Sequence, residues 1–137
     1  MRIASLALNL GASIGIRTLP LAMKISVDQL ISAPAARIFE VSQDYSDRLS
    51  WDNFLRRADL LGGATAAGVG IRSWCVSWFG VGIESEYVSF HPPLVAAVKM
   101  TRGPWFLSTF AASWRFEPET EERTRVRFQY SLSLIHI

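Results

Sequence analysis

From Lys24 to Ile31 the chain alternates, with Ile25, Val27, Gln29 and Ile31 on one set of positions and Ser26, Asp28 and Leu30 on the other. A period of two is what a half-buried strand requires, and Ser32 and Pro34 bound it. Pro34 suits the first turn of a helix, and the segment AARIFEVSQD behind it sets Ile38, Phe39 and Val41 at helical spacing. A second short helix is predicted from Ser46 to Phe54, with Leu49, Trp51 and Phe54 turned inward. Beyond Leu55 the pattern is of strands: Arg56 to Leu61, Gly70 to Phe79, Gly82 to His91, Leu94 to Thr101, Leu107 to Glu117 and Thr124 to Ser131. Gly62-Gly63, Gly80, Pro92-Pro93, Gly103-Pro104 and the charged run Glu117 to Arg123 separate them. Links this short leave no room for parallel crossovers, so an antiparallel meander follows, and the class is α+β.

Parity assigns the faces of these strands. Phe110, Ala112, Trp114 and Phe116 share one side, and Val126, Phe128 and Tyr130 oppose Arg125, Arg127 and Gln129. One side of the sheet is therefore apolar and aromatic and the other wet. The strand around Trp74 is less regular, because Trp74, Val76 and Trp78 share a side with Arg72.

Composition sharpens this picture. The 137 residues suit one domain, and five Trp with eight Phe are many for that length. The net charge of +2 comes from Arg2 and Arg17; from Met23 onward twelve basic residues face twelve acidic ones, which removes the main argument for a nucleic-acid partner. Arg123, Arg125 and Arg127 form a basic stripe, but Glu117, Glu119, Glu121 and Glu122 offset it. A lone Cys75 excludes an internal disulfide, and two His with one Cys are too few for an ordinary zinc site. No glycine pattern fits phosphate binding, so no cofactor is expected.

The two ends read differently from the middle. Residues 1–22, with Arg2 ahead of IASLALNLGASIGI, form a weak signal-like pattern, and are read as translation from a start upstream of Met23 or else as a signal segment. A cytoplasmic location is expected on the first reading and a secreted or periplasmic one on the second. The apolar run is too short and interrupted to span a bilayer, so stable membrane insertion is not expected. Residues 132–137, LSLIHI, resemble a translated sequencing adapter and are read as a scar, with a natural strand end as the alternative. The ligand-binding domain is then residues 23–131.

The stretch ISAPAARIFEVSQDYSDRLSWDNFL, with Ala33-Pro34 leading into the first helix and Trp51 ending the second, and the later stretch WRFEPETEERTRVRFQYSL resemble the START and birch-pollen-allergen-like (SRPBCC) superfamily, in its polyketide cyclase/dehydrase and coenzyme-Q-binding-like branch. The Gly usual before the T-x-V of the later motif is Arg123 here. The resemblance spans about Met23 to Ser131 and implies a helix-grip, or Bet v 1-like, fold: an antiparallel sheet of about seven strands with two short helices after the first. It also implies a long closing C-terminal helix, which the chain up to Ser131 does not contain. An uncovered apolar face and self-association are the expected consequences.

The same resemblance implies a cavity for an apolar small molecule. Trp51, Phe54, Trp74, Trp78, Val98, Met100, Phe110, Trp114, Phe128 and Tyr130 are the candidate lining, with the Tyr130 hydroxyl as a hydrogen-bonding group. Each of these aromatics could equally fill a core. His91 lacks an identifiable partner, Glu84 and Glu86 fit a solvated strand face, and Cys75 fits a small packing residue, so no catalytic residue is assigned. Three functions compete: carriage or sensing of a lipid-, quinone- or polyketide-like molecule; cyclase or dehydratase chemistry in the same pocket; and protein interaction through an open groove.

Overall fold

The alternation that opens the sequence becomes strand β1, Ala22–Ile31, in which Met23, Ile25, Val27, Gln29 and Ile31 are half-buried and the intervening side chains exposed. The computed structural model describes residues 22–135; the remainder of the N-terminal extension, residues 1–21, lies outside the described residues. Helix α1, Ala35–Gln43, follows Pro34, whose extended backbone starts it while the Pro34 carbonyl accepts the Arg37 and Ile38 N–H groups. Ala35, Ile38, Phe39, Ser42 and Gln43 form its buried stripe.

Helix α2 is a single turn, Arg48–Trp51, shorter than the Ser46 to Phe54 expected. Asp52 stops it: its carboxylate accepts the Phe54 N–H at 3.0 Å and holds Arg48 at 2.9 Å, a local side-chain arrangement that competes with further helix. Leu49, expected inside, is exposed on this turn.

Strands β2 (Leu55–Leu60), β3 (Arg72–Ser77), β4 (Gly82–His91), β5 (Val95–Arg102), β6 (Leu107–Thr120) and β7 (Arg123–Leu134) complete the α+β domain. They form one antiparallel seven-stranded sheet in the order β1-β7-β6-β5-β4-β3-β2. β7 runs on to Leu134, so Leu132 pairs with both Met23 and Phe110. β3 is shorter than expected because Trp78 and Phe79 belong to the turn into β4, where Gly80 takes φ +87.

Where Arg123 replaces the usual Gly, the β6–β7 hairpin closes with an irregularity between Pro118 and Thr120. Thr120 then pairs with Arg123, and its hydroxyl accepts the Glu122 N–H, so the turn needs no glycine.

The sheet curls around α1. Ile38 and Phe39 pack against Tyr87, Ala96, Trp114, Phe116 and Val126, forming a core at the end of the sheet nearest the β1–α1 connection. Phe39 meets Phe90 and Phe116 edge-on, each with ring centroids 5.3 Å apart. An irregularity in β4 between Tyr87 and Ser89 lets both Tyr87 and Phe90 face this core while Val88 faces out.

Candidate functional site

Strand register brings the inward side chains of β1, β7, β6 and β5 into one surface. Val27 pairs with Phe128 and Phe128 with Trp114; Ile25 pairs with Tyr130 and Tyr130 with Ala112; Trp114 pairs with Ala96 and Ala112 with Val98. Trp114, Phe128, Tyr130 and Phe110 run along it as a continuous row, with successive centroids 5.4, 5.6 and 6.2 Å apart. Trp114 is buried where α1 covers it, whereas Phe128, Tyr130 and Phe110 remain half-buried. At the inward positions of β1, β5, β6 and β7 named here there is no charged side chain.

Six of the ten residues proposed from the sequence share this face: Val98, Met100, Phe110, Trp114, Phe128 and Tyr130. Trp51 approaches from α2, packed against the edge of the core with its ring 5.1 Å from the Arg48 guanidinium. Phe54 is separate, meeting Phe79 edge-on beside the β3–β4 turn. Trp74 is on the other side of the sheet, and Trp78 lies past the end of β3. Trp74 pairs with Glu84, whose parity is opposite to that of inward-facing Ser85 and Tyr87, and its indole lies flat over Gly82, where an added Cβ would come within 2.5 Å of the ring. Trp78 is exposed in the turn. Parity in β3 thus turns Ser73 and Cys75, not the tryptophans, toward the helices.

Facing the aromatic row is a polar cluster that sequence reasoning missed. The Tyr87 hydroxyl donates to Gln43 Oε1 at 2.6 Å and lies 3.1 Å from the Tyr45 hydroxyl, and Gln43 Nε2 donates to Ser42 Oγ. Beside it the buried Arg48–Asp52 pair closes at 2.9 Å. The i, i+4 spacing of Arg48 and Asp52 was its one visible signal. The cluster is chemically quiet. Burial pushes the Tyr87 hydroxyl and the Cys75 thiol up, so both stay protonated, and desolvation also raises Tyr130. His91 is exposed at the end of β4. Glu84 is not the freely solvated carboxylate expected: it is buried on the outer face, accepting from Thr101 Oγ1 at 2.7 Å with Arg72 3.8 Å away. The basic stripe is matched by acids, Arg125 to Glu119 and Arg127 to Asp28, both at 2.9 Å.

Two depressions open to the surface. One, of about 320 Å³, lies between α1 and the β2–β3 connection, with Phe39, Gln43, Tyr45, Leu60, Ala67 and Phe90 in its wall. The other, of about 390 Å³, borders the start of β1 and the end of β7, beside Met23, Thr109 and Leu132. The aromatic row lines neither and forms an open wall. Two polar atoms are buried without a hydrogen-bond partner among the described residues, Gln29 Oε1 on β1 and Trp51 Nε1 at the end of α2. No group of metal-ligating side chains occurs among the described residues, and no described helix is long and apolar enough to cross a membrane.

A curled seven-stranded antiparallel sheet gripping short helices, with an aromatic concave face, defines the helix-grip, Bet v 1-like class of the START superfamily. Residues 22–135 match the family described as "Polyketide cyclase / dehydrase and lipid transport", and the chain belongs to it. Among solved structures, ginseng major latex-like protein 151 from Panax ginseng superposes with a TM-score of 0.70 at 14% identity, covering 85% of this chain and 83% of that one. The Zhui aromatase/cyclase of a Streptomyces species gives 0.70 at 16% identity, over 85% of this chain and 70% of that one. A START superfamily protein from Mycobacterium smegmatis gives 0.70 at 8% identity, over 82% and 78%. No curated protein matches the chain.

Proposed function

We propose that the concave face binds an uncharged, largely apolar small molecule of the lipid, quinone or polyketide kind. The observation that carries this reading is the row that runs on from buried Trp114 through Phe128, Tyr130 and Phe110, these three only half-buried on the inner side of the sheet. A purely structural core would bury such rings fully, as it buries Phe116. An ionised ligand group would find no partner at the inward positions of these strands, and an unpaired charge against apolar surface is strongly disfavoured. A neutral hydroxyl, by contrast, could donate to Gln29 Oε1, and a hydroxyl or carbonyl oxygen could accept from Trp51 Nε1–H; each atom left unpaired costs on the order of 1–3 kcal/mol.

Binding is favoured over cyclase or dehydratase chemistry by the state of the inward titratable groups. Tyr87 and Cys75 are held protonated and Asp52 is committed to Arg48, which leaves no evident base for proton abstraction. The aromatase/cyclase likeness keeps the enzymatic reading as the alternative.

Fluorescence titration of the full chain with the neutral dye N-phenyl-1-naphthylamine tests the proposal. Saturable brightening is expected, weakened about tenfold or more by Phe110→Asp, which sets a charge on the face, and unchanged by Val88→Asp on the outer face. Absence of saturable binding, or equal binding by the Phe110→Asp protein with its far-ultraviolet circular dichroism intact, would refute it.

A further inference from the structure

The three most exposed large apolar side chains among the described residues, Trp105, Phe79 and Trp78, lie at one end of the sheet. Trp78 and Phe79 form the β3–β4 turn and are 67% and 68% exposed; Trp105 and Phe106 form the β5–β6 turn and are 73% and 40% exposed. Both turns project from the same end, because β4 and β5 run antiparallel between them. The register Glu84↔Arg102 sets the two tips at similar height, and two strand spacings separate them by about 10 Å. Ile135 joins the same end, its N–H donating to the Phe106 carbonyl.

The exposed charges beside the two turns named here are basic. Arg56 reaches the β3–β4 turn, with its guanidinium 3.9 Å from where a Cβ on Gly80 would be, and Arg102 ends β5 immediately before the second turn. Glu84, the neighbouring acid, is buried and engaged by Thr101 and Arg72. Among the described residues none of these four rings belongs to the core cluster or packs against it; Phe79 meets Phe54 edge-on and Trp105 meets Phe106.

We propose that this end of the molecule docks on a lipid surface carrying anionic headgroups. Trp78, Phe79, Trp105 and Phe106 enter the interfacial layer, where amphipathic and aromatic rings are favoured, while Arg56 and Arg102 meet headgroup phosphates. Paired tips with flanking arginines suit a broad, flat, negatively charged partner. The attachment is peripheral and spans nothing. Phe110, Tyr130 and Leu132 form the part of the concave face nearest this end, so docking would bring that face toward the membrane.

Co-sedimentation of the full chain with vesicles supplies the test. Vesicles of phosphatidylcholine mixed with phosphatidylserine are expected to retain the protein, with a blue shift of tryptophan emission, and vesicles of phosphatidylcholine alone to retain it more weakly. Replacing all four tip aromatics with Ser should weaken retention by about tenfold or more. Arg56→Gln with Arg102→Gln should abolish the preference for phosphatidylserine and its sensitivity to salt. All six positions are exposed, so circular dichroism and the thermal midpoint are expected to stay near those of the parent. The proposal is overturned if the parent ignores both kinds of vesicle or if the four-Ser protein binds as the parent does. It is also overturned if the parent is an oligomer that the four-Ser change dissolves without vesicle binding, which would make a second copy the occupant. Because N-phenyl-1-naphthylamine binding is read without vesicles, failure here leaves the concave-face reading separately testable.

Discussion

Tyr87 ties the helices to the sheet through one hydroxyl, donating to Gln43 while lying beside Tyr45. Tyr87→Phe leaves Gln43 Oε1 buried without its donor and is expected to cost about 1–2 kcal/mol in urea unfolding at neutral pH. The pH dependence has a definite sign. Burial raises the Tyr87 hydroxyl above the ordinary tyrosine value of 10.0, with Tyr45 adding to the rise. The unfolded chain therefore releases that proton first, and its contribution, complete below the unfolded value, is lost as the pH climbs toward the folded one. The Phe variant has no such loss, so the stability gap between the two proteins should narrow above pH 10; a gap that stays constant would contradict the placement of this hydroxyl. None of this was legible in the sequence, because Gln43, Tyr45 and Tyr87 lie in separate elements and no local period links them.

Helix α1 and helix α2 differ in what anchors them. Ile38 and Phe39 hold α1 on the sheet, whereas α2 contributes no buried residue beyond the adjoining Asp52. Ile38→Ala is expected to cost about 3 kcal/mol and Leu49→Ala less than about 0.5 kcal/mol, measured by denaturant unfolding. Comparable losses at both positions would mean that α2 packs more tightly than described. The strands were legible wherever polar and apolar residues alternate cleanly, as in β1, β6 and β7. β3 was misread because Trp74 lies on the outer face, where its indole covers Gly82, and Trp78 falls past the strand's end in the β3–β4 turn. Hydrophobicity told that a side was covered, and could not tell by what. The early stop of α2 depends on the Asp52 side chain capturing the Phe54 N–H, a local hydrogen bond invisible to spacing.

The whole molecule is a curled sheet whose one end is filled by α1 and whose other end keeps an aromatic wall accessible. Its order of elements was recognisable from the Ala33-Pro34 entry, the Trp51 position and the closing hairpin, and the family match extends over residues 22–135. The lining of the site was recognisable only in part: the six residues on β5, β6 and β7 converge, while Phe54, Trp74 and Trp78 do not. Convergence depended on parity within long regular strands and failed beside turns. Determining the crystal structure of the full chain grown with N-phenyl-1-naphthylamine would locate the bound molecule. Dye lying along Phe110, Phe128 and Tyr130 on the concave face is the predicted result; dye found only in the cleft beside α1, or only on the outer face over Trp74, would contradict it.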